Sequence, residues 1–409
     1  MTLVADTRRN IGIMAHIDAG KTTCTERLLF YTHRIHRAGN VDDGNTTTDF
    51  DEEERKRGIT ISAACVSLRW DSHDIRIIDT PGHIDFSVEV ERSLRVLDGA
   101  VFVLDASQGV ECQSEAVWHK AERYGVARLT FVNKMDKVGA DFALCLRDMR
   151  ERLGARPVAL QLPLGSESEH RGVVDIVRMR AIVFEGGAPM LIDIPAEQCD
   201  AATRAHAQLV EACAEVDDDI MAQWIAGESP SEAALVRALR AGSLANRLHL
   251  VLCGSAFRHK GMQPLLDAIV AYLPSPSDRY GACDEDPFSA LVFKTVAQKN
   301  GTDAFMRIYS GRARAGDTVL APRTDATERI ARLFIVHAQH RVEHAMARAG
   351  DLVAVRGLGS VKTGDTLCAR GHRITLEPIT IPEPVLEVAI ETGNAEARDK
   401  LGYELGLSA

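Results

Sequence analysis

Nine consecutive residues, Ala15-His16-Ile17-Asp18-Ala19-Gly20-Lys21-Thr22-Thr23, have the types and order to hold a phosphate group. An apolar run, Ile11-Gly12-Ile13-Met14, leads into them, and Thr22 to Tyr31 can continue as a helix. Strand, tight loop and helix form the setting in which backbone N–H groups and a helix N-terminus converge on one anion. Lys21 can reach the outer phosphates, and the Thr22 hydroxyl can sit on Mg²⁺. The general pattern G-x-x-x-x-G-K-[ST] begins with glycine, where this chain has Ala15. Gly-Lys-Thr also opens ordinary helices, so this stretch alone leaves both readings open.

Four further motifs fall where a nucleotide site needs them. Asp79-Thr80-Pro81-Gly82-His83 follows a strand-like run ending at Ile78. An acid at a strand end can hold Mg²⁺ through water, and Gly82 lets the backbone approach the last phosphate. An ordinary Asp-Thr-Pro-Gly turn is the plainer reading. Arg57-Gly58-Ile59-Thr60-Ile61 offers a second Thr hydroxyl for Mg²⁺, in a loop ordered by the terminal phosphate. A helix end capped by Gly58 explains it equally well. Asn133-Lys134-Met135-Asp136 ends another strand-like run. The Asp136 carboxylate can accept from both N–H groups on guanine's Watson–Crick edge, a donor pair that adenine lacks. Against the wrong base the buried charge stays unpaired, which gives strong discrimination. An N-cap Asp is the alternative. Gly254-Ser255-Ala256, after a run ending at Leu252, can present a backbone N–H to the guanine oxygen. Each motif is ambiguous by itself. Five in one order, four of them directly after strand-like runs, imply a GTP-binding α/β domain with Mg²⁺.

The elements between the motifs fit that domain. Val66 to Trp70 and Ile75 to Ile78, joined by Asp71-Ser72-His73-Asp74, read as a hairpin. Ala100 to Leu104 and Leu129 to Val132 read as buried parallel strands, and Glu111 to Tyr124 and Ala140 to Leu153 as helices. Such alternation implies right-handed βαβ units, with a ligand beyond the carboxyl ends of the strands. Residues 157–247 interrupt the rhythm. Their main feature is a long predicted helix with Leu209, Cys213, Val216, Ile220 and Trp224 on one face. Asp217-Asp218-Asp219 reads as a solvated face, or as a docking surface for a basic partner. The α/β pattern resumes with Leu248 to Cys253 and a helix from Met262 to Tyr272. Leu273-Pro274-Ser275-Pro276-Ser277-Asp278 reads as a linker. Beyond it lie short strand-like runs. Three turns there share a Gly-Asp signature, Gly316-Asp317, Gly350-Asp351 and Gly364-Asp365, which suggests a small closed barrel.

Composition is that of a globular chain: 409 residues, 45% hydrophobic and 26% charged. The net charge of −10 argues against nonspecific nucleic-acid binding through overall charge, leaving room for a local basic patch. Nine scattered cysteines, without a C-x-x-C pair, suggest reduced thiols in a cytoplasmic setting. No apolar run approaches the ~18 residues of a membrane span.

Together A-H-I-D-A-G-K-T-T, R-G-I-T-I, D-T-P-G-H, N-K-M-D and C-G-S-A-F resemble the motifs of translational GTPases, in detail those of the elongation factor G type. Further stretches carry the likeness: Glu89 to Ala100, Gln161-Leu162-Pro163, Gly172-Val173-Val174-Asp175 and Gln263 to Asp267. The resemblance runs from about residue 8 to residue 391. That family carries Ala at the position of Ala15. The likeness implies an α/β P-loop GTPase domain over 1–280 with an α+β insertion at 157–247. It also implies an all-β barrel over 287–382 and the start of an α+β third domain over 383–409.

By the resemblance, Asp18 to Thr23 hold phosphates, Thr22, Thr60 and Asp79 serve Mg²⁺, and Asn133, Lys134 and Asp136 read guanine with help from Ser255 and Ala256. His83 orients the attacking water, a task of positioning rather than strong base catalysis. The implied partner is the ribosome, its large-subunit RNA and stalk proteins, with no membrane or DNA; a cytoplasmic monomer is expected. Such a protein binds and hydrolyses GTP to promote tRNA–mRNA translocation. His337, His340 and His344 are expected to be an ordinary polar loop rather than a metal site, and Cys253 a core residue. Glu391-Thr392-Gly393-Asn394 departs from the family sequence shortly before the last residue, Ala409. The expectation is therefore a shortened factor without the family's later domains, which keeps GTP binding with ribosome-stimulated hydrolysis weak or absent, or one that binds GTP and the ribosome and regulates or blocks without translocating.

Overall fold

A computed structural model of the chain describes residues 6–35, 64–79, 87–185, 188–298, 301–337 and 340–377, with single positions 39, 46, 394 and 401. The expected strand at Val385 to Ile390 and the third-domain start lie outside the described residues, as do Thr60 and Thr80 to His83. The chain divides into two compact units at Ser275 and Pro276.

The first unit is built on a seven-stranded sheet. Its strands are β1 (Arg8–Ala15), β2 (Ala64–Trp70), β3 (His73–Asp79), β4 (Gly99–Asp105), β5 (Ala127–Asn133), β6 (Pro157–Ala159) and, after an excursion, β11 (His249–Cys253). Their spatial order is β2-β3-β1-β4-β5-β11-β6. Every pairing is parallel except that of β2 with β3. β4 and β5 are buried at every position, as strands covered on both faces must be. The helices are α1 (Lys21–Tyr31), α2 (Ser87–Val96), α3 (Cys112–Arg123) and α4 (Phe142–Glu151). Asp141 starts α4 by accepting from Leu144 N–H at 3.0 Å. The hairpin between β2 and β3 turns on only two residues, Asp71 at φ 42° and Ser72 at φ 62°. Two left-handed residues match the twist of the flanking strands.

The excursion between β6 and β11 forms a four-stranded antiparallel sheet, β7 (Gln161–Leu164), β8 (Gly172–Asp175), β9 (Arg180–Glu185) and β10 (Ala188–Ile192). Three helices follow, α5 (Ala196–Ala214), α6 (Asp218–Ile225) and α7 (Glu232–Leu244). The expected single long helix is therefore two. Asp217 accepts from the N–H groups of Asp219 and Ile220, each at 3.1 Å, and caps a new helix. Asp218 and Asp219 fall in its first turn, where the helix dipole favours carboxylates. The acidic run thus starts a helix. Leu209, Cys213 and Ile220 are buried, but Trp224, one turn beyond Ile220 in the new helix, is 47% exposed. The chain returns through β11 to α8 (Met262–Tyr272). The expected linker is partly ordered, since Pro276 opens a short helix α9 (Pro276–Tyr280).

A polar group lies inside the first unit's core. Trp118 is fully buried, and the Arg128 guanidinium sits 4.1 Å from its ring centre. His249 tilts against the same ring at 5.0 Å, and its Nδ1 accepts from Arg156 N–H at 3.1 Å. Burial, with help from the Arg128 charge, holds the His249 pKa down to about 4.

Beyond α9, the described elements of the second unit are strands from Ser289 to Cys368. β12 (Ser289–Gln298), β13 (Gly301–Ser310), β15 (Thr318–Ala321), β16 (Ala326–Arg329), β17 (Arg332–His337), β18 (His340–Glu343), β20 (Leu352–Arg356) and β21 (Thr366–Cys368) share one sheet. Its order is β16-β15-β21-β12-β13-β20-β17-β18. β14 (Arg312–Arg314) and β19 (Met346–Arg348) pair separately. Val292, Met306, Ile308, Leu333, Val353 and Leu367 fill the core. The three Gly-Asp turns are copies of one device. Gly316, Gly350 and Gly364 stand at φ 97°, 89° and 93°. Asp317, Asp351 and Asp365 each accept at 2.8 Å from the N–H three residues earlier. Fully buried Asp303 receives Arg341 and Arg356, the latter at 2.7 Å.

Two outcomes follow from these contacts. D217A should cost about 1 kcal/mol of local helix stability, so amide exchange within Met221 to Ile225 should quicken about fivefold while α5 keeps its protection. The unfolded His249 titrates near 6.5 and the folded one near 4. Between those values the unfolded chain binds more protons, so stability falls as pH drops through that window. Urea midpoints at pH 7, 6 and 5 should decline, and H249Q, which keeps an acceptor for Arg156, should decline less.

Candidate nucleotide-binding site

Five parallel strands end along one edge of the first sheet, at Ala15, Asp79, Asp105, Asn133 and Cys253. Ladder register aligns these ends, with Ile13 opposite Asp79, Ala15 opposite Val103, Asp105 opposite Asn133 and Cys253 opposite Val132. Motifs up to 240 positions apart are therefore carried to one edge by strand pairing alone.

Between β1 and α1 the chain turns through Asp18 at φ 64° and Gly20 at φ 94°. No side chain caps the N-terminus of α1, and no acidic residue lies in its first turn. An anion is thus the fitting partner for that end of the helix. Lys21 begins α1 and is largely buried; Thr22 and Thr23 are half-buried, and Ala15 and Ala19 are buried. Gly20 lies against Asn133, whose Nδ2 a Cβ would meet at 2.4 Å. The loop is backed by α3. His16 Nε2 lies 2.9 Å from Glu111 Oε2, and its Nδ1 lies 3.3 Å from Ser114 Oγ. Burial lowers the His16 pKa, with Glu111 opposing. Ile17 N–H points to Gln113 Oε1 at 3.4 Å.

Asn133 joins three loops. Its Nδ2 donates to Ala19 O at 2.8 Å, and its Oδ1 accepts from Ala256 N–H at 2.9 Å. Lys134, at φ 62°, donates from Nζ to Asp18 O and to Asp105 Oδ2, the latter at 3.0 Å. Burial would raise the Asp105 pKa, but bonds from Ser107 Oγ and N–H, with Lys134, bring it down to about 2. The carboxylate is thus an ionised anchor for Lys134. Buried Met135 donates its N–H to Gly254 O at 3.0 Å. Asp136 Oδ2 lies 3.4 Å from Arg258 Nε. Ser255 and Ala256 are fully buried; Ser255 N–H bonds Lys260 O at 3.0 Å, and Arg27 Nε bonds Ala256 O at 3.2 Å.

The structure brings together the phosphate loop, the Asn133–Asp136 loop and the Ser255–Ala256 loop. Three of their residues also tie the loops to one another. The polar atoms of Asn133 and the ammonium of Lys134 bond other loops, and the Asp136 carboxylate lies beside Arg258. Ala256 N–H is engaged by Asn133. Asp79 has its backbone at the end of β3; its side chain, Thr60, Thr80, Pro81, Gly82 and His83 lie outside the described residues. Sequence reasoning missed Asp105, although it ends a buried strand just as the recognised motifs follow theirs. It also missed Arg27 and Gln113, which carry no motif. His337 and His340 are partners in the β17–β18 ladder, and His344 Nδ1 is 2.6 Å from Met346 O. Among the described residues no group of His, Cys, Asp or Glu is arranged for a metal, and no helix is long and apolar enough to cross a membrane. Cys253 is fully buried.

A parallel sheet with such a loop after its first strand, joined to a guanine-type base loop, defines the P-loop GTPase class. The family model described as Elongation factor Tu GTP binding domain matches residues 6–275, and that described as Elongation factor Tu domain 2 matches residues 301–368. The chain belongs to the elongation factor Tu GTP-binding domain family and carries a GTPase domain followed by its β-barrel companion. It is similar to an Elongation factor G of Rhodopseudomonas palustris (strain BisB18), at 48% identity over 416 residues covering 97% of this chain and 60% of the relative. A crystal structure from Thermus thermophilus matches with a TM-score of 0.88 at 29% identity, covering 98% of this chain and 60% of that one. The chain thus spans about 60% of the length of these relatives.

If Asn133 holds the site together, N133A removes two buried bonds worth about 1 kcal/mol each and strands their partners. Fluorescent-GDP titration should give a dissociation constant raised about 100-fold.

Proposed function

We propose that this chain is the GTPase and barrel portion of a translational GTPase of the elongation factor G type, which binds and hydrolyses GTP on the ribosome to promote tRNA–mRNA translocation. The observation that carries this reading is the 48% identity sustained over 97% of the chain to a protein named Elongation factor G. The joined loops of the site support nucleotide binding at that edge of the sheet. Charge distribution supports an RNA-rich partner. The whole chain is at −10, yet residues 288–377 hold 14 Lys and Arg against eight Asp and Glu. An excess of basic residues in one domain of an acidic chain is the electrostatic footprint expected for contact with phosphate backbones.

In this reading the Asp18–Thr23 loop and the N-terminus of α1 hold the phosphates, with Lys21 on the β/γ side. Asp136 accepts from the two N–H groups of guanine, helped by the loop of Ser255 and Ala256. Thr22, Thr60 and Asp79 supply hydroxyl and carboxylate oxygens, the hard donors that Mg²⁺ prefers. Bound there, Mg²⁺ would neutralise charge on the β- and γ-phosphate oxygens. His83 orients the water that attacks the γ-phosphate. Hydrolysis needs mainly positioning, so slow turnover is expected until a partner fixes that side chain.

Sedimentation with ribosomes tests the partner. The chain should pellet with ribosomes in the presence of a non-hydrolysable GTP analogue and stay largely in the supernatant with GDP. Equal recovery in both states would rule out a nucleotide-controlled ribosomal factor. D136N should exchange GDP preference for xanthosine diphosphate, because an amide donates where the carboxylate accepted; the swap should exceed about 100-fold, read by competition. H83A should lower single-turnover GTP hydrolysis at least tenfold while the dissociation constant for GTP moves less than about threefold.

A further inference from the structure

The turn between β7 and β8, at the start of the excursion from the main sheet, touches both loops of the base site. Glu167 lies in it with φ 51°, a left-handed conformation that a non-glycine residue rarely holds. Both of its polar ends go to the loop after β5. Its N–H donates to Met135 O at 3.0 Å, and its Oε1 accepts from Gly139 N–H at 2.8 Å. Asp136 lies between those two points, so one residue brackets the short segment that carries the base-reading carboxylate. Three positions on, the His170 carbonyl accepts from Lys260 Nζ. Lys260 in turn pairs with Ser255 through two backbone bonds, 3.0 and 2.9 Å. The second base loop is thereby tied to the same turn.

This arrangement does more than hold the excursion in shape. The β7–β8 ladder, from Gln161 opposite Asp175 to Leu164 opposite Gly172, closes without the Glu167 side chain. That side chain is partly exposed, so no core depends on it. A carboxylate that must accept from two donors of one base edge needs its backbone fixed in position and direction.

We propose that Glu167 is a positioning residue for guanine recognition, which holds Asp136 in register by anchoring Met135 and Gly139, while Lys260 holds the Ser255–Ala256 loop through the His170 carbonyl. The proposal rests on the reading of Asp136 as the guanine carboxylate. It makes the β7–β8 turn part of the machinery of base selectivity, although it lies outside every nucleotide motif. A load placed on the excursion would reach the base through two hydrogen-bonded contacts.

The test is the dissociation rate of GDP and of inosine diphosphate, read by fluorescent-nucleotide displacement. Hypoxanthine lacks the 2-amino group, so displacing Asp136 costs two bonds with guanine and one with hypoxanthine. E167A should raise the GDP rate about tenfold and the inosine diphosphate rate less than threefold. E167Q keeps an acceptor for Gly139 and should remain within about threefold of the parent for both. An equal rise for both nucleotides in E167A, or an E167Q as impaired as E167A, would mean a general loosening and would overturn the proposal. K260M is the second probe, independent of the Glu167 backbone conformation and usable should E167A not fold. Because hypoxanthine keeps the ring oxygen that the Ser255–Ala256 loop faces, a rise for both nucleotides supports the coupling through Lys260, and unchanged rates for both overturn it. D136N separates the two levels. If it fails to exchange GDP for xanthosine diphosphate, the guanine reading falls and this proposal with it. If the exchange occurs while E167A and K260M leave both rates unchanged, only the positioning role is lost.

Discussion

The Asn133 side chain is the constraint on which the nucleotide site depends. An amide has a donor end and an acceptor end, and here each end is used on a different loop. The donor takes Ala19 O, and the acceptor takes Ala256 N–H. Neither loop is stabilised by packing alone, since each consists of backbone turning between elements. Three strand ends then behave as one surface. Lys134 reinforces it through Asp105, which is held ionised to far below neutral pH. The Asp105 carboxylate therefore stays charged across the range in which cells work. Gly20 completes the arrangement by leaving room for the amide where any side chain would intrude.

Much of the first domain was legible in the sequence because parallel strands buried on both faces write continuous apolar runs, as at Ala100 to Leu104 and Leu129 to Val132. Four of the motifs were legible because each occupies consecutive residues after such a run. What was hidden depends on partners remote in sequence. Nothing near Asn133 says that its amide is committed to Ala19 and Ala256, and nothing near Glu167 names Met135. The single helix read across 209–224 failed for a local reason that the sequence did contain. Asp217 followed by two acids is a helix start, but apolar spacing continued across the break and outweighed it.

The barrel teaches a complementary lesson. Its three Gly-Asp turns announced themselves, since glycine supplies φ near +90° and aspartate closes the turn. The acceptor pattern was not foreseen. Each carboxylate takes the N–H three residues before it, so the residue leading into each turn is held as firmly as the turn itself. Buried Asp303 with its two arginines carries no such signature. Its partners stand 38 and 53 positions away, and only strand pairing assembles them.

The distances spanned by Asn133 also set an order of events. Its two bonds reach 114 residues back and 123 residues forward along the chain. Contacts of such separation form late, after the loops between them have closed. A chain growing from its N-terminus carries the phosphate loop almost from the beginning, yet the Asn133 amide can use both of its ends only once Ala256 has been synthesised and β11 has joined the sheet. The joining of the three loops therefore marks the end of assembly for this domain, and a nascent chain whose Asn133 amide has both partners has already placed its last central strand.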